Sequence, residues 1–137
     1  MINDQLILRT FLAGDSAVTA MVSTRIYAGR DVPPEGWQPA DGSCIVFKRR
    51  GERDLDERGQ VISASYQVKA YGTGGNYNQQ VLNCESLYRV LRERLNYGAS
   101  YDILGIQRDG GAEILPEPDT GWPFVVSFWR VQVRKTA

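Results

Sequence analysis

Apolar residues at Ile2, Leu6, Ile7, Leu8, Phe11 and Leu12 fall at helical spacing and give the first segment one broad apolar face. Asn3 or Asp4 is placed to cap its start, and Gly14 to end it. Asp15-Ser16 then opens a second, short helix that runs to Met21 or Val22. Arg25-Ile26-Tyr27 reads as a short strand or an extended exit. From Gly29 to Gly42 the periodicity is lost, with three prolines in Pro33, Pro34 and Pro39. A loop of that length in a small domain is uncommon and often functional. Trp37 stands in its middle, either pinned to the core or offered to a partner. Ser43 to Arg50 is a strand centred on Ile45, Val46 and Phe47. A charged connector, Gly51 to Gln60, leads to Val61–Tyr71, where Ile62, Ala64, Tyr66, Val68 and Ala70 alternate with polar residues. The two strands form a long hairpin. Gly72 to Asn76 breaks the strand. Tyr77, Val81, Cys84, Tyr88, Leu91 and Leu95, broadened by Leu87, then step along a long helix that Asn96 and Gly98 end. Tyr101 to Gln107 is a further strand. Asp109-Gly110-Gly111 is a tight-turn signal after which Ala112 to Leu115 is expected to pair back. Pro116 to Gly121 is another turn, and Trp122 to Val133 a last strand with both faces apolar. Such a strand is central in its sheet, or shares one face with another subunit. The order α-α-β-β-α-β-β-β predicts an α+β fold, a mainly antiparallel sheet with helices packed on one face. Residues 1–137 read as a single domain.

Bulk properties narrow the chemistry. A chain of 137 residues is large enough for a core without covalent staples. Sixteen basic and sixteen acidic residues balance to zero, unlike the basic excess of a dedicated nucleic-acid binder. The absence of histidine removes the commonest general base and metal ligand. No run approaches the ~20 apolar residues of a membrane span, and the first residues lack a secretory pattern, which points to a cytosolic product and no membrane partner. Cys44 and Cys84 are expected to be buried free thiols. Thirteen arginines against three lysines suit ion pairs and protein interfaces, or reflect coding bias.

Catalytic motifs fail on their spacing. Gly72-Thr73-Gly74-Gly75 has Tyr77 where a dinucleotide fingerprint needs its third glycine. Asp54 to Gly59 begins like a calcium loop, but Arg58 occupies a ligand position and Ser65 the place of the closing glutamate. Without histidine no serine or cysteine triad forms. Glu113, Glu117 and Asp119 are the remaining acid–base candidates, and two of them lie in a Pro-rich turn. No enzyme, cofactor or metal is expected. The basic concentration of Lys48, Arg49, Arg50, Arg53 and Arg58 is diluted by Glu52, Asp54, Asp56 and Glu57. From Asp102 to Asp119, five acids face Arg108 alone.

Read in order, these segments resemble the phage tail completion, or tail terminator, family. The resemblance rests on the opening helix, Gly14-Asp15, the Ala/Val-rich second helix, Thr24-Arg25-Ile26-Tyr27 and the Pro-rich loop. It continues through Cys44-Ile45-Val46-Phe47, Tyr66-Gln67-Val68-Lys69-Ala70-Tyr71, the long helix, Glu117-Pro118-Asp119-Thr120-Gly121 and the final strand. The Trp37 loop and the charged hairpin depart from it. The resemblance implies a non-catalytic virion protein of the tail or neck, assembled in the host cytoplasm. Its partners would be copies of itself in a ring, typically a hexamer, the tail tube protein and a head-completion or connector protein, with DNA only passing through the lumen. Alternatives are another neck, head–tail connector or minor tail protein, or a small nucleic-acid-binding module. A ring closes by one patch meeting a different patch on its neighbour. The candidate contact residues are Trp37, Arg49, Arg50, Arg53, Leu55, Arg58, Trp122, Phe124, Phe128 and Trp129. The candidate lumen acids, some of which are expected near the passage, are Asp102, Asp109, Glu113, Glu117 and Asp119, since a DNA passage favours acidic or neutral walls over basic ones.

Overall fold

The computed structural model describes residues 3–54 and 61–134, the side chains of Arg53 and Asp54 excepted. Helix α1 (Asp4–Ala13) starts where Asn3 accepts a hydrogen bond from the Leu6 amide, and α2 (Ser16–Val22) where Asp15 accepts from those of Ala17 and Val18. Each cap satisfies amide donors that the first turn leaves open. Leu8, Leu12, Val18 and Val22 are the buried apolar residues of this pair, whereas Leu6 is exposed. Strand β1 (Ile26–Ala28) follows and runs parallel to β2 (Cys44–Asp54). It resolves the short-strand-or-exit alternative and adds one strand to the expected order, giving α-α-β-β-β-α-β-β-β.

Strand β2 pairs antiparallel with β3 (Val61–Tyr71), with a bulge at Arg50. β2 runs to Asp54, four residues past the expected end. The long helix α3 (Tyr77–Leu95) is capped by Asn76, which accepts from the Gln79 amide. It buries Cys84, Leu87, Leu91 and Leu95, while Tyr77, at its exposed first position, leaves the apolar face expected of it. β4 (Ile103–Arg108), β5 (Glu113–Pro116) and β6 (Pro123–Arg134) complete a six-stranded sheet. The path is β1-β2-β3-β6-β4, with β5 also on β6.

One expectation is corrected. β4 and β5 do not pair with each other; both run antiparallel to β6, β4 along Trp129–Val133 and β5 along Pro123–Val126. Asp109-Gly110-Gly111-Ala112 is therefore a looped-out interruption in one long edge, held where the Asp109 amide donates to the Phe128 carbonyl. Backbone pairing to β6 overrides the local turn signal.

The two apolar faces of β6 are thereby explained within one chain. Val125, Trp129, Val131 and Val133 pack with Ile45, Phe47, Ile62, Ala64, Tyr66, Val68 and Ala70 under the three helices. Phe124 and Val126 join Cys44, Val46 and Tyr71 on the opposite face, under Trp37. Both cysteines are free and fully buried. Burial pushes both thiols up, that of Cys84 to about 11. Among the described residues, no helix is long and apolar enough to cross a membrane.

Candidate functional site

The Pro-rich loop is held in place by hydrogen bonds rather than by regular structure. The Trp37 amide donates to the Pro34 carbonyl, and its indole Nε1 donates to the Gly42 carbonyl at 3.1 Å. Asp41 and Gln38 cap one another across a single 3-10 turn, Pro39–Asp41. Thr73 Oγ1 ties the Pro39 carbonyl to the end of β3, at 2.7 Å. Thus seated, Trp37 is only 6% exposed and meets Tyr71 and Trp122 edge to face, with ring centroids 5.6 and 5.3 Å apart. It is pinned to the core.

The turn from β5 to β6 is organised by Glu117. Its Oε2 accepts from the Asp119 amide, the Thr120 amide and Thr120 Oγ1, all within 3.0 Å. Gly121 closes the turn at φ +75°, a conformation that disfavours side chains with a Cβ. The turn places Trp122 against Trp37. Pro33, Pro34, Trp37 and Trp122 thereby wall a groove rimmed by Glu35, Glu117 and Asp119.

Other proposed contact residues are engaged within the chain. Trp129 is buried beneath the helices and donates from Nε1 to Ser127 Oγ; Phe124 is buried beneath Lys69, whose Nζ lies 4.7 Å from its ring. Phe128 is half-buried under the Arg50 guanidinium, 4.5 Å from its ring centroid. Arg49 bridges Asp4 at 2.8 Å and Glu52 at 3.2 Å. Trp122 is half-buried at the groove mouth. Leu55 and Arg58 lie outside the described residues, and of Arg53 only the backbone is described.

The acidic candidates do not converge on one site. They follow one another along the β4–β5 edge and into the turn beyond it. Asp102 is half-buried, with Oδ1 unpartnered. Asp109 pairs with Arg130 at 3.4 Å and accepts from Ser65 Oγ. Glu113 and Asp119 are exposed, and Glu117 is buried in its turn. Among the described residues, no group of three potential metal-ligating side chains comes together.

Three features escaped the sequence reading. Asp4, in the first turn of α1, is buried and accepts hydrogen bonds from Tyr66 Oη and Arg49. Burial, with this carboxylate as its neighbour, pushes the Tyr66 phenol far up. A capping signal had concealed a residue that ties α1 to β2 and β3. The second feature is a set of exposed apolar side chains on and beside β4 and β5: Tyr97, Tyr101, Leu104, Ile114 and Leu115, Tyr97 at 81%. Tyr97 holds φ +60° while its amide donates to the Ile106 carbonyl, a backbone region costly for a residue with a Cβ. Ile114 and Leu115, successive in β5, stand on opposite faces of the sheet, whereas Tyr97 and Leu104 line one shallow pocket beside β4. The third is Glu35 on the groove rim, which the prolines around it made read as plain loop.

No family model matches the chain, and neither does any curated protein. Among solved structures, the fold is similar to that of a chain in the virion of a native gene transfer agent (GTA) particle, with a TM-score of 0.59 at 13% sequence identity. The likeness spans 92% of this chain and 90% of that one. The likeness is one of fold alone, this chain's described residues forming an α+β architecture of three α-helices and a mostly antiparallel six-stranded sheet.

Proposed function

We propose that this chain is a structural subunit of a phage-like particle. In this reading it forms a ring that caps the head-proximal end of a tail tube, ends tube growth and provides the surface for head joining. The observation that carries the reading is the fold likeness to a GTA virion chain over nearly the full length of both chains. The order of the sequence segments that resemble tail terminators supports it independently. The role is architectural, without catalysis or cofactor; the partners are further copies of the chain, a tube protein and a connector, with DNA passing through. Tyr97 and Leu104, exposed together beside the outer edge of β4, are the apolar side chains this reading gives to the neighbouring copy.

Deleting the gene and imaging the particles tests the role. Overlong tubes or unattached heads and tails are expected. Normal joined particles overturn the reading. Cryo-microscopy of complete particles separates it from the second position the same fold likeness suits, another neck or head–tail connector: density for the chain belongs at the tube end in the first case and elsewhere in the second.

A further inference from the structure

The groove between the Pro-rich loop and the β5–β6 turn has a volume of about 350 Å³. That is at the small end for ligand sites and suits one side chain with its flanking backbone. Its wall is Pro33, Pro34, Trp37 and Trp122, and its charged lining is Glu35, Glu117 and Asp119. No cation is among the residues that line it, and none of the three carboxylates enters a salt bridge among the described residues. Lys69, whose charge reaches Glu117, is engaged over Phe124 and donates to the Asp31 carbonyl at 2.8 Å. Glu117 is buried in its turn, and the three hydrogen bonds its side chain accepts all go to Oε2. Its Oε1 accepts none among the described residues and, unlike Asp102 Oδ1, is not sealed from solvent, which leaves it open to a donor entering the groove.

We infer that this groove receives an arginine side chain carried on an extended segment of a partner polypeptide. The carboxylates repel phosphates, so nucleic acid is a poor occupant. Pro33 and Pro34 have no amide donors to offer an anion. An aromatic wall beside unpaired carboxylates is what a planar cation requires: the guanidinium stacks on an indole and its fork engages a carboxylate at two points. Lysine, a compact and strongly hydrated charge, gains less from the same wall.

The inference stands apart from the ring reading, because its test uses the isolated full-length chain. Acetyl-Ala-Ala-Arg-Ala-Ala-amide is titrated against the protein while the indole N–H resonances of Trp37 and Trp122 are followed by NMR. Saturable shifts are expected at Trp122. The peptide with citrulline at the centre, neutral but of the same shape, is expected to bind roughly tenfold more weakly. The double variant Glu35→Gln/Asp119→Asn changes two exposed side chains and should lower affinity for the arginine peptide by a similar factor, with an unchanged amide spectrum elsewhere. A peptide with lysine at the centre is expected to bind more weakly than the arginine peptide. No saturable shift, equal binding of the citrulline or the lysine peptide, or full affinity in the double variant would each overturn the assignment.

Discussion

Trp37→Ala tests whether the second apolar face of the sheet is sealed by one side chain. The change removes an indole packed edge-on against Tyr71 and Trp122, and its hydrogen bond to the Gly42 carbonyl. Truncating a buried tryptophan costs about 3–5 kcal/mol, which includes the contribution of its aromatic contacts. Because Trp37 sits on a loop over Cys44, Val46, Phe124 and Val126, much of that cost should appear as local opening of this face. About 4 kcal/mol corresponds to roughly a thousandfold rise in the opening constant. The two cysteines report it from opposite sides: Cys44 lies in the Trp37 cluster and Cys84 on the buried face of α3. Both are fully buried, with thiols held protonated by burial, so neither should react with a disulfide reagent at pH 8 in the native chain. In the variant, peptide mass spectrometry should show Cys44 labelling accelerated by up to about a thousandfold while Cys84 stays protected. If both thiols speed up together, the chain opens as one unit and the loop is no separate cover. If neither does, Trp37 does not seal that face.

Tyr66→Phe leaves an oxygen of buried Asp4 without its donor and should cost about 1.5–3 kcal/mol in urea unfolding; Asp4→Ala/Tyr66→Phe should cost clearly less than the sum of the single changes, and additivity would refute the coupling. Gly72→Ala would set its Cβ 2.2 Å from the Gln80 carbonyl oxygen and 2.4 Å from the Cys84 amide, so α3 must shift, at about 3 kcal/mol. Gly51→Ala meets nothing within 4 Å and should stay within about 0.5 kcal/mol by the same assay. The thiols of Cys44 and Cys84 and the phenols of Tyr66 and Tyr71 are all raised by burial. The folded chain keeps protons that the unfolded chain releases, so their contribution is whole below about pH 9 and lost as pH rises. Cys84 alone, moved from 9.0 to about 11, contributes on the order of 2 kcal/mol across that window. The urea midpoint should fall between pH 9 and 10.5, less so in Cys84→Ala, and a flat profile would refute the assignment.

Elements that declare themselves through near neighbours were legible in the sequence. Asn3, Asp15 and Asn76 cap the helices, and the alternation in Val61–Tyr71 sets a half-buried strand. Long-range pairing was not legible. Asp109-Gly110-Gly111 carries a strong local turn signal, yet the available edge of β6 beyond Phe128 draws the chain onward in the same direction. The apolar density of Trp122–Val133 was visible, but not its covers, since Trp37, Arg50 and Lys69 reach it from distant segments. For the candidate site, the long loop and Trp37 could be singled out, whereas the groove exists only because Trp122 meets Trp37 across 85 residues of sequence. Asp4 read as a capping residue because nothing in its neighbourhood announces Tyr66 or Arg49.

Both margins of the sheet are interrupted, which limits how a further strand could add to them. On one margin β1 covers β2 only at Ile45–Phe47, and β2, bare beyond that, is kinked at Arg50; on the other, residues 109–112 leave the ladder and Pro116 offers no amide. A second chain cannot zip its backbone along either margin without a gap. Growth into an endless ribbon, the hazard of any open sheet, is thereby hindered at both margins, and any contact between copies falls to side chains rather than to backbone.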